Sequence, residues 1–156
     1  MRAALLLALL AATPAHAACQ GDEAFSCRIG KKTLDVCYWK GMLTYRFGPE
    51  GRPELTLNER LETVDFMPWP GIGRAIWDSV VFENEGVTYE VWSAFDKMDE
   101  NAVMEGGVNV MQGTETLATL TCNKGSVGRG LEGLSDLKAG IGQCWDYDSR
   151  TWGLCN

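Results

Sequence analysis

Past His16 the sequence contains no histidine. That absence removes the Ser-His-Asp triad, the Cys-His nucleophile pair, and His-ligated zinc or facial-triad iron. There is no Cys-x-x-Cys unit, no Gly-rich phosphate loop of either usual type, and no Asn-x-Ser/Thr sequon. Basic residues are in deficit, with 14 Lys and Arg against 21 Asp and Glu. Affinity for nucleic acid comes largely from neutralising phosphates, so this balance argues against that class of partner. The continuous apolar run at the start, Ala3 to Ala12, is too short to span a bilayer, so no transmembrane segment is expected.

What is present begins with that run. Met1 to Ala17 reads as a secretory signal peptide: Arg2 supplies the positive start, Ala3 to Ala12 the apolar stretch, and Ala15-His16-Ala17 the small-x-small cleavage site. Cleavage near Ala17 would leave 139 of the 156 residues and, with Arg2 gone, a formal charge of -8 in place of -7. That length suits one domain. The expected location is periplasmic or secreted. Acylation of Cys19 as a lipoprotein is the competing reading, although His16 stands where such signals usually carry Leu.

Six cysteines, Cys19, Cys27, Cys37, Cys122, Cys144 and Cys155, follow the expected cleavage site. An even count behind a signal peptide reads as three disulfides in an oxidising compartment, with no metal site. Six cysteines allow fifteen pairings. Alternation puts Cys27 on the face of Ile29 and Cys122 on that of Leu120, so a Cys27–Cys122 bond would tie the first long strand to the last. Cys144–Cys155 is the local choice, and Cys19–Cys37 is left by elimination.

From Ala24 to about Lys124, short alternating runs are broken by turn residues, the mark of an antiparallel sheet. Strands are expected at Ala24 to Ile29, Leu34 to Trp39, Met42 to Phe47, Pro53 to Leu57, Ile76 to Phe82, Val87 to Ala94, Gly107 to Met111 and Glu115 to Cys122. The fold class is therefore mainly β, an antiparallel meander closing into a small barrel of about eight strands. Thr63 to Arg74, with Pro68 and Pro70 around Trp69, is expected to be a loop. Leu131 to Ala139 reads as a short helix in a disulfide-linked C-terminal tail. The organisation expected is a signal peptide over 1–17, a barrel over 18–124, and a Gly-rich linker with a packed appendage over 125–156.

Chemistry-bearing residues are few. Asp96/Asp99/Glu100 and Asp146/Asp148 are paired carboxylates best read as solvated loop charge, and the twelve-residue EF-hand spacing is absent. The serines and threonines have no partner base other than lysine, and no catalytic residue, metal or cofactor is assigned. Six tryptophans are present; Trp77 and Trp92 are expected to pair across strands, and Trp69 to be the most exposed, offering a ring to a sugar or a protein partner.

The signal peptide, acidic charge, antiparallel barrel, end-joining cystine, Gly86-Val-Thr-Tyr89 in a hairpin and Gln112-Gly113 near the last strand together resemble the bacterial inhibitors of c-type lysozyme. That family has an eight-stranded barrel in which a Ser-Gly-x-x-Tyr segment and a Lys-Gly segment enter the lysozyme cleft. The resemblance spans Phe25 to Cys122. It places Gly86 and Tyr89 in the first segment, with Glu85 at its Ser position, and Gly113 in the second, with Gln112 at its Lys position. An acidic insert, Asp96 to Glu105, lengthens the stretch between them. The binding residues expected are Glu85, Gly86, Tyr89, Gln112, Gly113 and Trp69. The function expected is that of an exported non-enzymatic binding protein of the bacterial envelope. Its partner would be a cationic protein such as lysozyme; a cell-wall glycan or peptide held by loop aromatics, or a structural role, is the alternative.

Overall fold

The computed structural model describes residues 19–155, so the expected signal peptide lies outside the described residues. A meander of four strands forms one antiparallel sheet: β1 (Asp22–Ile29), β2 (Lys32–Trp39), β3 (Met42–Pro49) and β4 (Leu55–Arg60). Five more form a second: β5 (Asp65–Met67), β6 (Ala75–Asn84), β7 (Val87–Asp96), β8 (Glu105–Gln112) and β9 (Glu115–Thr121). Strand neighbours in space are neighbours in sequence: two-residue turns join β1 to β2, β2 to β3, β6 to β7 and β8 to β9, and longer loops make the other connections within each sheet.

Alternation along each strand sorts the side chains. Phe25, Leu34, Val36, Leu43 and Tyr45 from the first sheet are buried against Phe66, Val80, Phe82, Val91 and Val108 from the second. The Tyr45 ring sits 5.5 Å from Phe82 and 5.7 Å from Tyr89, joining the two inner faces. Burial, with the Tyr89 hydroxyl nearby, raises the Tyr45 pKa.

The expected closed barrel is not what forms. No ladder joins β4 to β5 or β9 to β1, and the two sheets remain separate. At one seam the chain turns after Arg60, and β5 stops after three residues because Pro68, which has no N–H to donate, follows it. At the other seam β9 ends before it reaches β1. The free edge of β1 is met instead by the irregular segment after Cys122: Asn123 N–H donates to Arg28 O at 2.6 Å and Gly128 N–H to Ser26 O at 3.0 Å. Asn123 exchanges two side-chain hydrogen bonds with Gly30, each at 3.0 Å, and Ser126 Oγ bonds the Arg28 backbone. A covered edge does for a sheet what closure does, denying a free strand to other chains.

Three disulfides cross-link the fold: Cys19–Cys37, Cys27–Cys122 and Cys144–Cys155, with Cα separations of 5.3, 5.8 and 4.9 Å. Cys27–Cys122 ties β1 to the end of β9, where no ladder does so.

The C-terminal region also departs from the expected helical tail. A single helix, α1 (Gly133–Gly140), buries Leu134 and Lys138 on one face, and Leu131 just before it joins the main core. The disulfide-bonded part that follows is a hairpin of β10 (Gln143–Asp146) and β11 (Thr151–Leu154). Trp145 faces Trp152 across it, with rings 5.4 Å apart. Trp152 stacks on Phe66 at 5.8 Å and donates its indole N–H to Phe66 O at 2.7 Å, which seats the hairpin against β5. The short helix expected over Leu131 to Ala139 is therefore present as α1, and the segment after it is a hairpin because Trp packs well on a pleated pair. Among the described residues no helix is long and apolar enough to cross a membrane.

Candidate functional site

The β6–β7 and β8–β9 turns lie side by side at one end of the second sheet. Asn84 pairs with Val87 around Glu85-Gly86, Gln112 pairs with Glu115 around Gly113-Thr114, and Val87 pairs with Gln112. Glu85 (φ 51) and Gly86 (φ 79) are both left-handed, the backbone of a two-residue hairpin turn whose twist matches the strands it joins. Gly86 suits its position because any Cβ there would be strained, whereas Glu85 carries that strain itself.

Four of the expected binding residues, Glu85, Gly86, Gln112 and Gly113, therefore form one exposed patch. The acidic Asp96 to Glu105 insert joins β7 to β8 at the other end of the sheet, so it does not separate the two tips. Tyr89 belongs to the same end but points inward, packed on Tyr45 and Phe82. Trp69 lies elsewhere. Its backbone N–H donates to Asp78 Oδ1 at 3.1 Å, which puts it six residues, roughly 20 Å of strand at about 3.3 Å each, from Asn84.

Trp69 is also not the exposed ring the sequence suggests. Its indole N–H donates to Ile72 O at 3.1 Å, and Lys97 Nζ stands 4.5 Å from the ring centroid. Trp39, at 45% exposure, and Trp77, at 36%, are the open tryptophans instead. Trp77 and Trp92 are not register partners: Trp77 faces Ala94, and Trp92 faces Ser79. They share the outer face as diagonal neighbours.

Charge is distributed unevenly between the sheets. Residues 61–121, which contain the second sheet, carry eleven carboxylates and only Arg74 and Lys97, a net -9. Residues 19–60 carry six carboxylates and seven basic side chains, a net +1. The sequence as a whole shows only the total. Glu83 and Glu115 flank the tips beside Glu85, all three are exposed, and among the described residues none of them is ion-paired. The outward direction of Glu83 follows from alternation with inward Phe82 on β6.

The acidic loops spend their carboxylates on their own backbone. Asp96 accepts from Met98 N–H and from Arg74 Nε, and those bonds lower its pKa. Asp146 accepts from the N–H groups of Asp148 and Ser149, with the same effect. Both are turn-forming carboxylates. The Asp96–Glu105 connection also walls a cleft of about 430 Å³ with Asp96, Asp99, Asn101 and Glu105, faced by Lys124.

One spacing escaped the reading of the serines: Ser135-Asp136-Leu137-Lys138 on α1 is a Ser-x-x-Lys unit. Lys138 is only 1% exposed, its ammonium donates to Gln143 Oε1 at 3.1 Å and stands 5.0 Å from the Trp152 centroid, and burial lowers its pKa. Those contacts seat the C-terminal hairpin and leave the ammonium facing Gln143 and Trp152. Compared with protein-family models, with curated proteins and with solved structures, the chain matches none.

Proposed function

We propose that this protein is an exported, non-enzymatic binding protein that engages a cationic protein through the paired hairpin tips, with a c-type lysozyme as the concrete partner. The observation that carries the proposal is the adjacency of the tips. The two short segments that resemble those of the lysozyme inhibitors are brought together by the Val87–Gln112 pairing, beside exposed Glu83, Glu85 and Glu115, in a segment, residues 61–121, with net charge -9. With Glu85 and Gln112 in place of Ser and Lys, the tips offer acceptors to a basic surface rather than a cation to catalytic carboxylates. Long-range attraction between such a surface and a strongly cationic protein speeds encounter, and the tip contacts then set how long the complex lasts. Export accords with the three disulfides, which form and persist chiefly in oxidising surroundings. Trp69, held by Ile72 and Lys97, gives the glycan alternative little to stand on.

A turbidity assay with a c-type lysozyme tests the reading. Micromolar protein should slow lysis, the effect should weaken as salt rises, and Glu85→Lys with Glu115→Lys should abolish it without loss of stability. Unchanged lysis with the wild-type protein would retire lysozyme as the partner.

A further inference from the structure

At the end of the second sheet away from the tips, two register pairs of β6 and β7 point inward: Ile76 faces Phe95, and Asp78 faces Ser93. With Met104 and the exposed Glu132 they line an open cavity of about 110 Å³. Asp78 is 6% exposed and Ser93 1%. Gly130 leaves room for the Glu132 carboxylate, since a Cβ there would collide with it.

The charges in this cavity are unbalanced. Asp78 Oδ1 accepts the Trp69 N–H, whereas Oδ2 takes no hydrogen bond among the described residues. Burial, and then the neighbouring Glu132, raise the Asp78 pKa against the effect of that one hydrogen bond. No basic side chain lines the space. The two basic residues of the second sheet's segment are committed elsewhere, Arg74 to Asp96 and Lys97 to the Trp69 ring. A buried carboxylate is ordinarily paired, because an uncompensated charge in a poorly solvated site is costly.

We infer that this cavity is a binding site for a primary alkylammonium group. An ammonium has three N–H donors, and the cavity offers three kinds of acceptor: Asp78 Oδ2, the Glu132 carboxylate, and the lone pair Ser93 Oγ retains after accepting the Leu131 N–H at 2.9 Å. Ile76, Phe95 and Met104 give the alkyl chain apolar walls, as lysine stems commonly find. A hard divalent cation needs six or more oxygen ligands, and an apolar-walled cavity with two carboxylates and one hydroxyl does not supply them. The shared chemistry is that of a lysine side chain on a partner or a free alkyl polyamine. The site is independent of the hairpin tips.

n-Butylamine is the probe, with calorimetry and carboxyl NMR of the wild-type protein as readouts. Saturable binding is expected, with the Asp78 titration midpoint moving down as the amine fills the site. Asp78→Asn keeps the acceptor for Trp69 N–H, so the fold should persist while affinity falls by more than about tenfold. Glu132→Gln should weaken binding as well. Tetramethylammonium, which has no N–H, should fail to bind. Tighter binding of Nα-acetyl-lysine amide than of spermidine assigns the source as a side chain, and the reverse order assigns it as a free amine. The inference is overturned if butylamine does not saturate at tens of millimolar, if Asp78→Asn binds it equally well, or if calcium moves the Asp78 midpoint and the amine does not. Lysozyme inhibition by the Asp78→Asn protein should be unchanged, so this site and the tips can fail separately.

Discussion

Removing the Cys27–Cys122 disulfide asks how the open seam between β1 and β9 is held. The bond spans 95 positions of sequence, and the chain-entropy relation puts its contribution at about 4.7 kcal/mol at 25 °C. Cys144–Cys155 spans 11, for about 2.8 kcal/mol. At the seam itself the competing forces are a handful of hydrogen bonds from Asn123, Ser126 and Gly128 to the β1 edge, each worth about 1 kcal/mol net. The covalent term is therefore comparable to these hydrogen bonds taken together, and it is the one that cysteine substitution removes while leaving their donors and acceptors in place. Urea denaturation of Cys27→Ala/Cys122→Ala should show a loss of about 5 kcal/mol, against about 3 kcal/mol for Cys144→Ala/Cys155→Ala. Amide exchange at Arg28 and Gly30, whose N–H groups bond Ser126 and Asn123, should quicken in the first variant and stay unchanged in the second. Equal losses, or a larger loss from the hairpin disulfide, would refute the argument that long-loop closure holds the seam.

Three further outcomes follow from buried groups and backbone geometry. The Lys138 ammonium is held below its ordinary value near 10.5, chiefly by burial, so the unfolded chain binds its proton more strongly. Stability should accordingly rise with pH through the alkaline range up to about 10.5, and Lys138→Met should flatten that rise in urea titrations at successive pH values. Asp78 is shifted the other way: its contribution is fully present below 3.8 and is lost as pH climbs through its raised folded value. Asp78→Asn should therefore be no less stable than wild type at pH 7 by thermal denaturation. Gly86→Ala, forced to φ 79, should cost about 1–2 kcal/mol, measured by the same urea method.

Much of the strand order was legible because its cause is local. The expected hairpin positions Ala24 to Ile29, Leu34 to Trp39 and Val87 to Ala94 lie within β1, β2 and β7, where alternation and turn glycines act over a few residues. Short β5 was missed inside the proline-rich loop, since three residues leave too little alternation to read. The β10–β11 hairpin was missed because its stability comes from Trp152 reaching Phe66, a contact between residues 86 apart in sequence. Of the candidate site, Glu85, Gly86, Gln112 and Gly113 were found from short motifs. Their adjacency depends on the β7–β8 register, which lies outside either motif.

By itself the sequence determined the mainly β character, the successive hairpins, the even set of cysteines and the absence of histidine chemistry after His16. These are properties of composition and of residues a few positions apart. Tertiary structure decided that the sheets stay open, that the tip turns meet, that Trp69 is half-buried while Trp39 is exposed, and that Asp78 and Glu132 line one cavity with no basic side chain among its walls. It also decided that a total charge carries its whole excess on one sheet. Each of these results depends on distances between residues far apart in the chain, and such distances exist only once the two inner faces have packed.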